Sequence, residues 1–153
     1  MEKIFQDKVA IVTGGSFGIG RAAAIAFAER GAKVAIADWV EDNETLNAIK
    51  SVGGDAIFIK CDVANDESVR AMVDKTIVQY GRLDYAFNNA GVEGLSAPTH
   101  ECTNENWDKT IAINLKGVWL CMKYEIPQMI KQGKGAIVNN ASIAGLVGFV
   151  NIP

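Results

Sequence analysis

The chain has 153 residues, a length that fits one domain able to bury its own hydrophobic core. Hydrophobic residues make up 49% and charged residues 22%, which is close to the average of globular domains. The formal net charge of −3 argues against binding to nucleic acid phosphates, and no apolar stretch approaches the roughly 18 residues of a membrane-spanning helix.

Five short apolar runs predict β-strands. Most of them are apolar at consecutive positions, a pattern typical of strands that are covered on both faces, as in a parallel sheet. The predicted strands span residues 9–12, 34–37, 56–59, 83–87 and 136–138.

The segments between these runs predict helices with recognisable ends. Asn65 is a good N-cap, and Gly31 and Gly81 stand where a left-handed residue would end a helix. The last helical stretch covers about 104–131 and has a weak point near 114–117, where two helices could join. Pro127 is expected to kink or restart its last part. The other predicted helices span 21–30, 41–52 and 65–80.

The order of these elements predicts the fold class. Strands that alternate with helices form right-handed crossovers onto one parallel sheet. We therefore expect an α/β protein with a Rossmann-like, doubly wound parallel sheet.

A glycine-rich turn, TGGSFGIG, lies directly between the first strand and the first helix. Glycines there allow a backbone to approach a pyrophosphate, and the helix N-terminus offers free N–H groups. It is not a P-loop, because Arg21 stands where a lysine would be needed. The alternative is a turn without a ligand. The predicted cofactor-binding residues of this turn are Gly14, Ser16, Phe17, Gly18, Ile19 and Gly20.

Asp38 ends the second predicted strand, 18 residues after Gly20. An acid at this place accepts hydrogen bonds from the adenosine ribose, and it would repel the 2′-phosphate of NADP. Trp39 follows Asp38, and Phe17 occupies the turn position from which a basic side chain could reach that phosphate. The pattern predicts NAD(H) over NADP(H). Asp38 could instead cap the next helix, or serve both purposes.

The three cysteines, Cys61, Cys102 and Cys121, have no metal-site or Cys-x-x-Cys spacing, and His100 is the only histidine. We therefore expect reduced cysteines and no metal site. The first residues include acids and no long apolar run, so they do not resemble a signal peptide. The expected location is the cytoplasm.

Five motifs in order resemble the short-chain dehydrogenase/reductase family, specifically its single-domain bacterial members. The resemblance runs from about Lys8 to the last residue. The motifs are the turn at 13–20, Cys61-Asp62-Val63, Asn88-Asn89-Ala90-Gly91, Asn114 and Asn139-Asn140-Ala141-Ser142.

The resemblance implies further cofactor-binding residues. Asp62 would accept a hydrogen bond from the adenine amino group, and Val63 would contact the same ring. A segment after the fourth strand would line the cofactor and stabilise the crevice, namely Asn89, Ala90 and Gly91. The residues alone leave other interpretations open: Asp62 as an ordinary turn or cap acid, and Asn88-Asn89 as a turn pair that tolerates left-handed backbone.

The resemblance also implies two catalytic residues. Asn114 would hold a kink in its helix through a water molecule, as part of a proton relay. Ser142 would hydrogen-bond the substrate carbonyl or hydroxyl. A helix-capping amide and an ordinary loop serine are the corresponding alternatives.

The family's chemistry also needs a Tyr-x-x-x-Lys pair a little beyond the serine, and these 153 residues contain none. The resemblance therefore implies that the sheet is truncated after the fifth strand, and that residues 1–153 form a single dinucleotide-binding domain that is incomplete at its C-terminus. We expect the chain to be truncated just before that pair and to be inactive as it stands. The three tyrosines do not substitute, because Tyr80, Tyr85 and Tyr124 are followed four places on by Asp84, Asn89 and Gln128.

Together these features predict an NAD(P)-dependent oxidoreductase that prefers NAD(H) and transfers hydride between the nicotinamide and a secondary alcohol or ketone. We expect a small-molecule substrate, no nucleic acid or membrane partner, and a homo-oligomer (dimer or tetramer) of the intact protein. The alternative is a non-catalytic NAD-binding or interaction module. A third class, methyltransferases that bind S-adenosylmethionine, is disfavoured by the turn spacing and by the Asn-Asn-Ala-Gly segment.

Overall fold

Five strands form one parallel sheet in the computed structural model, which describes residues 2–153. The strand order is β3-β2-β1-β4-β5, so the chain builds the sheet outward in both directions from β1 and β4. All five predicted strands are present, and the predicted doubly wound parallel sheet is confirmed. Their bounds are β1 Val9–Thr13, β2 Lys33–Asp38, β3 Asp55–Lys60, β4 Tyr85–Asn88 and β5 Ala136–Asn139.

Helices cover both faces of this sheet, which explains the consecutive apolar residues of its strands. In β1, Ile11 belongs to a core cluster that includes Met72 and Leu120. The next residue, Val12, belongs to a second cluster that includes Ala24. The helices are α1 Gly18–Glu29, α2 Asn43–Ser51, α3 Asp66–Tyr80, α4 Asn104–Ile111 and α5 Gly117–Gln132.

Local chemistry sets the ends of α3 as the sequence predicts. The Asn65 side chain accepts a hydrogen bond from the Ser68 N–H at 2.9 Å. At the other end Gly81 adopts a left-handed conformation with φ of 78°. Gly31, after α1, also has a positive φ of 96°. These predicted helix ends are confirmed.

The long helical stretch is interrupted where the sequence predicts a weak point. A π-helical turn, Ala112–Lys116, separates α4 from α5. The prediction that Pro127 restarts the helix is wrong, because α5 continues through Pro127 to Gln132. Pro127 cannot donate to the carbonyl of Lys123. Both residues are exposed, so solvent can satisfy that carbonyl and the helix continues.

A buried acid joins the beginnings of β1 and β4. Asp84, only 4% exposed, accepts a hydrogen bond from the Val9 N–H at 3.0 Å. Arg82 donates to both carboxylate oxygens, at 2.7 and 2.5 Å. Burial raises the pKa of Asp84, but the hydrogen bonds from Arg82 and Val9 and nearby positive charge outweigh it, so that pKa lies below its ordinary value.

We expect Asp84→Asn to lower the free energy of unfolding by about 1–3 kcal/mol at neutral pH. The asparagine amide has one oxygen where the carboxylate has two, so a donor of Arg82 or Val9 loses its acceptor. The stabilisation by the Asp84 carboxylate is fully present above its pKa in the unfolded chain. It is lost as pH falls through the lower pKa that Asp84 has in the folded protein. The substitution should therefore matter less in acid. Urea unfolding measured from pH 7 downwards tests this, with Asp74→Asn, an exposed acid on α3, as the control. An equal loss at every pH would contradict it.

Candidate cofactor site

A cleft of about 800 Å³ opens at the carboxyl ends of the strands. It lies where β1 and β4 are neighbours and the connections leave the sheet in opposite directions. Ligands of open α/β sheets bind at such a point. Its lining residues are Gly14, Phe17, Gly18, Ala37, Asp38, Trp39, Cys61, Asp62, Val63, Ala64, Asn89, Ala90, Gly91, Val92, Lys109, Ala112 and Ile113.

The glycine-rich turn is folded so tightly that a side chain would overlap backbone atoms at two of its positions. A Cβ on Gly20 would overlap the carbonyl oxygen of Gly14. A Cβ on Gly14 would lie 2.9 Å from the Cα of Ala90. Gly14 and Gly18 also have positive φ values of 65° and 51°, which favour glycine. The turn therefore folds back under the first residues of α1 and contacts the loop after β4.

The N-terminus of α1 differs from those of α2, α3 and α4, the other α-helices that begin after a loop. Its N-cap residue, Phe17, makes no side-chain capping bond, and its first turn has no acid. By contrast, side-chain oxygens of Asp42, Asn65 and Thr103 cap α2, α3 and α4. The first N–H groups of a helix need acceptors, and its positive end favours an anion. The start of α1 at the cleft therefore fits a pyrophosphate.

The carboxylate of Asp38 is fixed at the edge of the cleft. One oxygen accepts from the Ser16 N–H at 3.0 Å and the other from the Val40 N–H at 3.1 Å. The interpretation of Asp38 as the N-cap of the next helix is wrong, because Asp42 caps α2. Each oxygen of Asp38 keeps a lone pair that could accept from a ribose hydroxyl.

Arg21 is a cation that the sequence did not place near the site. Its Nε donates to the Ser16 carbonyl at 2.8 Å, and its Nη1 donates to Glu44 at 2.7 Å. Its Nη2 pairs with Asp42. Two carboxylates thus hold the guanidinium, and it supports the turn from outside the cleft.

Lys60 is a second cation that sequence reasoning missed. Its Nζ lies 5.2 Å from the centre of the Trp39 ring. Lys60 and Asp38 are register partners on neighbouring strands, a pairing that the sequence alone does not reveal. Lys60 therefore places a positive charge near Trp39, which lines the cleft next to Asp38.

Hydrogen bonds join the turn to the loop after β4. The Thr13 hydroxyl oxygen accepts from the N–H groups of Asn89 and Ala90, at 2.9 and 3.1 Å. The Asn89 side chain donates to the carbonyls of Thr13 and Gly14. The alternative of a left-handed turn pair is wrong, because Asn88 lies in β4 and neither asparagine has a positive φ.

Asp62 and its neighbours form another part of the cleft lining. One oxygen of Asp62 accepts from the Ala64 N–H at 2.9 Å, which makes it a turn acid and leaves its other oxygen for a ligand. Burial raises the pKa of Cys61 to about 11, so this thiol is neutral at physiological pH. The wall is thus apolar with one carboxylate.

Three predicted residues of the turn do not line the cleft. Ser16 is fully buried below the turn, and Gly20 is buried against Gly14. Ile19 is 65% exposed at the start of α1. Sequence reasoning missed a contribution from the other side, where Lys109, Ala112 and Ile113 line the cleft. Their approach depends on how α4 and the π-helical turn pack, and no sequence signal marks it.

The two predicted catalytic residues lie outside the cleft lining. Asn114, in the π-helical turn, accepts from the Val92 N–H at 2.9 Å and donates to the Val92 carbonyl at 2.8 Å. Its amide therefore clamps the loop after β4 rather than capping a helix. Ser142 is exposed, and its hydroxyl oxygen accepts from the Ala144 N–H at 3.1 Å. Their catalytic roles stay predictions.

Within residues 2–153, no three His, Cys, Asp or Glu side chains gather in a way that could hold a metal ion. None of the helices in the same range has the length and apolar character to cross a membrane.

A doubly wound parallel sheet with an uncapped helix N-terminus and an acid at the end of β2 is the arrangement typical of dinucleotide-binding α/β proteins. Comparison with known families then gives the family. A model described as short chain dehydrogenase matches residues 8–153. The chain belongs to the short-chain dehydrogenase family.

Similar proteins have related names. An "Uncharacterized oxidoreductase" of Thermotoga maritima is 51% identical, covering 94% of this chain and 57% of its own. A "Cyclohexanol dehydrogenase" of an Acinetobacter species is 40% identical, covering 99% of this chain and 63% of its own. A solved structure of NAD+-bound xylitol dehydrogenase has a TM-score of 0.91 and 35% identity, covering 97% of this chain and 58% of its own. The chain thus spans about three fifths of the length of these relatives.

Gly20→Ala tests the packing of the turn. In an ordinary helix this change stabilises by roughly 1 kcal/mol. Here we expect a loss of about 1–3 kcal/mol, because the new methyl group overlaps the Gly14 carbonyl and the turn must move. Thermal unfolding measures the difference. Gly145→Ala, where a methyl group meets open space, is the control and should be near neutral. A stabilised Gly20→Ala protein would contradict the tight turn.

Proposed function

We propose that the protein to which this chain belongs is an NAD(H)-dependent oxidoreductase that acts on a secondary alcohol or ketone. The observation that carries the proposal is the uncapped N-terminus of α1, which lies beside the fixed carboxylate of Asp38 in one cleft. Residues 1–153 would form its dinucleotide-binding domain.

Each part of the cleft would bind one part of the cofactor. The N–H groups at the start of α1 bind the pyrophosphate, with Gly14 and Gly18 allowing its approach. Asp38 accepts from the ribose hydroxyls, Asp62 accepts from the adenine amino group, and Val63 packs against the ring. The segment Asn89–Gly91 lines the route towards the nicotinamide. The bound cofactor supplies the hydride chemistry.

The preference for NAD(H) follows from charge at Asp38. A 2′-phosphate beside this carboxylate brings like charges together. Arg21 is held by two acids, so its charge is already compensated. Lys60 offsets part of the repulsion, but it is exposed and is screened by solvent. We therefore infer a preference for NAD(H) that is weaker than Asp38 alone would give.

The substrate would be a small secondary alcohol or ketone near Ser142. Its hydroxyl would hydrogen-bond the substrate oxygen, while Asn114 would fix the helix that borders the site. The cyclohexanol dehydrogenase name of one relative supports a secondary alcohol as substrate class. We also propose a homo-oligomer, and a cytoplasmic location that suits three free cysteines.

A non-catalytic NAD-binding module is the second candidate, because these 153 residues contain no Tyr-x-x-x-Lys pair. We expect the purified chain to bind NAD and to form no NADH with secondary alcohols, since a positioned acid/base contributes roughly 10²–10⁴-fold. Absorbance of NADH in the presence of cyclohexanol measures this. Alcohol-dependent NADH formation by the chain would show that another group transfers the proton.

Isothermal titration with NAD and NADP tests the proposed cofactor. We expect tighter binding of NAD, and we expect Asp38→Asn to shift the NADP-to-NAD affinity ratio by about 10–100-fold towards NADP by removing a charge next to the 2′-phosphate. The ratio is the readout, because asparagine can accept only one of the two N–H groups and both affinities can fall.

Glu41→Gln is the matched control, since Glu41 is an exposed acid in the same loop. It should leave the affinity ratio within about twofold, because exposed charges are screened. Tighter binding of NADP by the wild-type protein would overturn the preference. Absence of binding of either dinucleotide to folded protein would overturn the proposed function.

A further inference from the structure

The carboxyl group of Glu125 is buried in an environment that disfavours an ionised side chain. It lies on α5 with no exposed surface, facing the ends of β4 and β5. No lysine, arginine or histidine within residues 2–153 forms an ion pair with it. An ionised carboxylate that is buried without a cation is strongly destabilising, so such groups are kept neutral.

The hydrogen bonds around Glu125 leave two oxygens without donors. The Asn88 Nδ2 donates one hydrogen to Glu125 Oε2 at 3.1 Å and the other to Asn139 Oδ1 at 3.0 Å. Both hydrogens of that amide are then used. Asn88 Oδ1 and Glu125 Oε1 are both buried and have no partner in the described chain. Each such oxygen costs about 1–3 kcal/mol when it stays unpaired.

One proton resolves both deficits. If Oε1 of Glu125 carries a proton, it can donate a hydrogen bond. Asn88 Oδ1, which otherwise has no donor, can accept that hydrogen bond. The carboxylic acid and the amide then form two parallel hydrogen bonds, one in each direction. An ionised Glu125 would leave both oxygens unpaired and add a buried charge.

The groups that face Glu125 are neutral. β4 presents the amide of Asn88 and β5 the amide of Asn139, whose Nδ2 lies 3.3 Å from the Met122 sulfur. On α5 itself, Cys121 is one turn away, and burial raises the pKa of its thiol. Burial also raises the pKa of Glu125 to about 7, although the Asn88 hydrogen bond lowers it in part.

The cluster lies directly below the cleft. Asn88 precedes Asn89, whose side chain holds the glycine-rich turn. Asn139 precedes Asn140, whose N–H donates to the Asn88 carbonyl at 2.9 Å and whose side chain donates to Asn89 at 3.0 Å. The position of Asn88 therefore affects the loop after β4, which lines the cleft, and the loop after β5, which is hydrogen-bonded to it.

We propose that Glu125 is a positioning residue that acts as a neutral carboxylic acid, donating its proton to Asn88 and thereby clamping the carboxyl ends of β4 and β5 below the cleft. This role does not depend on which cofactor the cleft binds.

Carbon-detected nuclear magnetic resonance of the wild-type chain, with glutamate labelled at Cδ, tests the proposal directly. We expect one carboxyl, absent from the spectrum of Glu125→Gln, to titrate near pH 7. The side-chain amide signals of Asn88 should shift with the same midpoint. Titration of Glu125 in the ordinary acidic range would overturn the proposal. So would Asn88 amide signals that do not shift as Glu125 titrates.

Variants test the clamp separately. In Glu125→Gln, the new amide can donate to Asn88 Oδ1 and accept from Asn88 Nδ2. This variant should therefore leave the Asn88 and Asn140 amide signals close to their wild-type positions. Glu125→Leu fills the space without a donor and should displace both. Equal spectra of these two variants would overturn the clamp. Glu67→Gln, at an exposed glutamate of α3, is the matched control and should leave the Asn88 signals unchanged.

The pH dependence has a definite sign. The raised pKa means that the stabilising effect of Glu125 is fully present below its unfolded pKa and is lost as pH rises through the folded pKa. The difference in unfolding free energy between wild type and Glu125→Gln should therefore shift in favour of the variant between about pH 4.5 and about pH 7. A difference that stays constant over this window would overturn the protonated state.

Discussion

The fold of the cleft depends on a backbone contact that only glycine permits. The carbonyl of Gly14 occupies the space where any side chain on Gly20 would stand. Because the turn can fold back so closely, α1 begins at the cleft with an uncapped N-terminus. The same fold brings Ser16 to the carboxylate of Asp38. The proposed binding of a pyrophosphate and of a ribose thus depends on one tight turn.

The turn is held in place by the strand order of the sheet. β1 and β4 are neighbours, so Thr13 can accept hydrogen bonds from the loop after β4. Asn89 returns hydrogen bonds to the turn, and Asn140 links Asn89 to the end of β5. The cluster around Glu125 continues this connection into the protein interior. The cleft is therefore the surface of a polar layer that joins three strand ends.

Much of this architecture could be predicted from the sequence, because it follows from local rules. Strands covered on both faces have consecutive apolar residues, and Asn65 and Gly81 mark the ends of α3 by their own chemistry. The turn and Asp38 could be assigned to the cleft, because parallel strands place their carboxyl ends on one edge. The uninterrupted course of α5 through Pro127 was not predictable, since it depends on which side of the helix meets solvent.

Other parts of the site depend on contacts between distant segments. Lys60 lies near Asp38 because of strand register, and Lys109 reaches the cleft through helix packing. No sequence pattern marks Glu125 as buried, because its helix also contains the charged residues Lys123 and Lys131. Its burial becomes visible only once β4 and β5 lie below α5. A pattern of residue types cannot distinguish these cases.

The proposed function depends on backbone N–H groups at the start of α1 that bind a dinucleotide pyrophosphate. Amide chemical shifts of the folded chain, recorded while NAD is added, report on these groups residue by residue. We expect the largest shifts at Gly18, Ile19 and Gly20, followed by Asp38. Saturable binding that shifts amides elsewhere and leaves these three unchanged would contradict it.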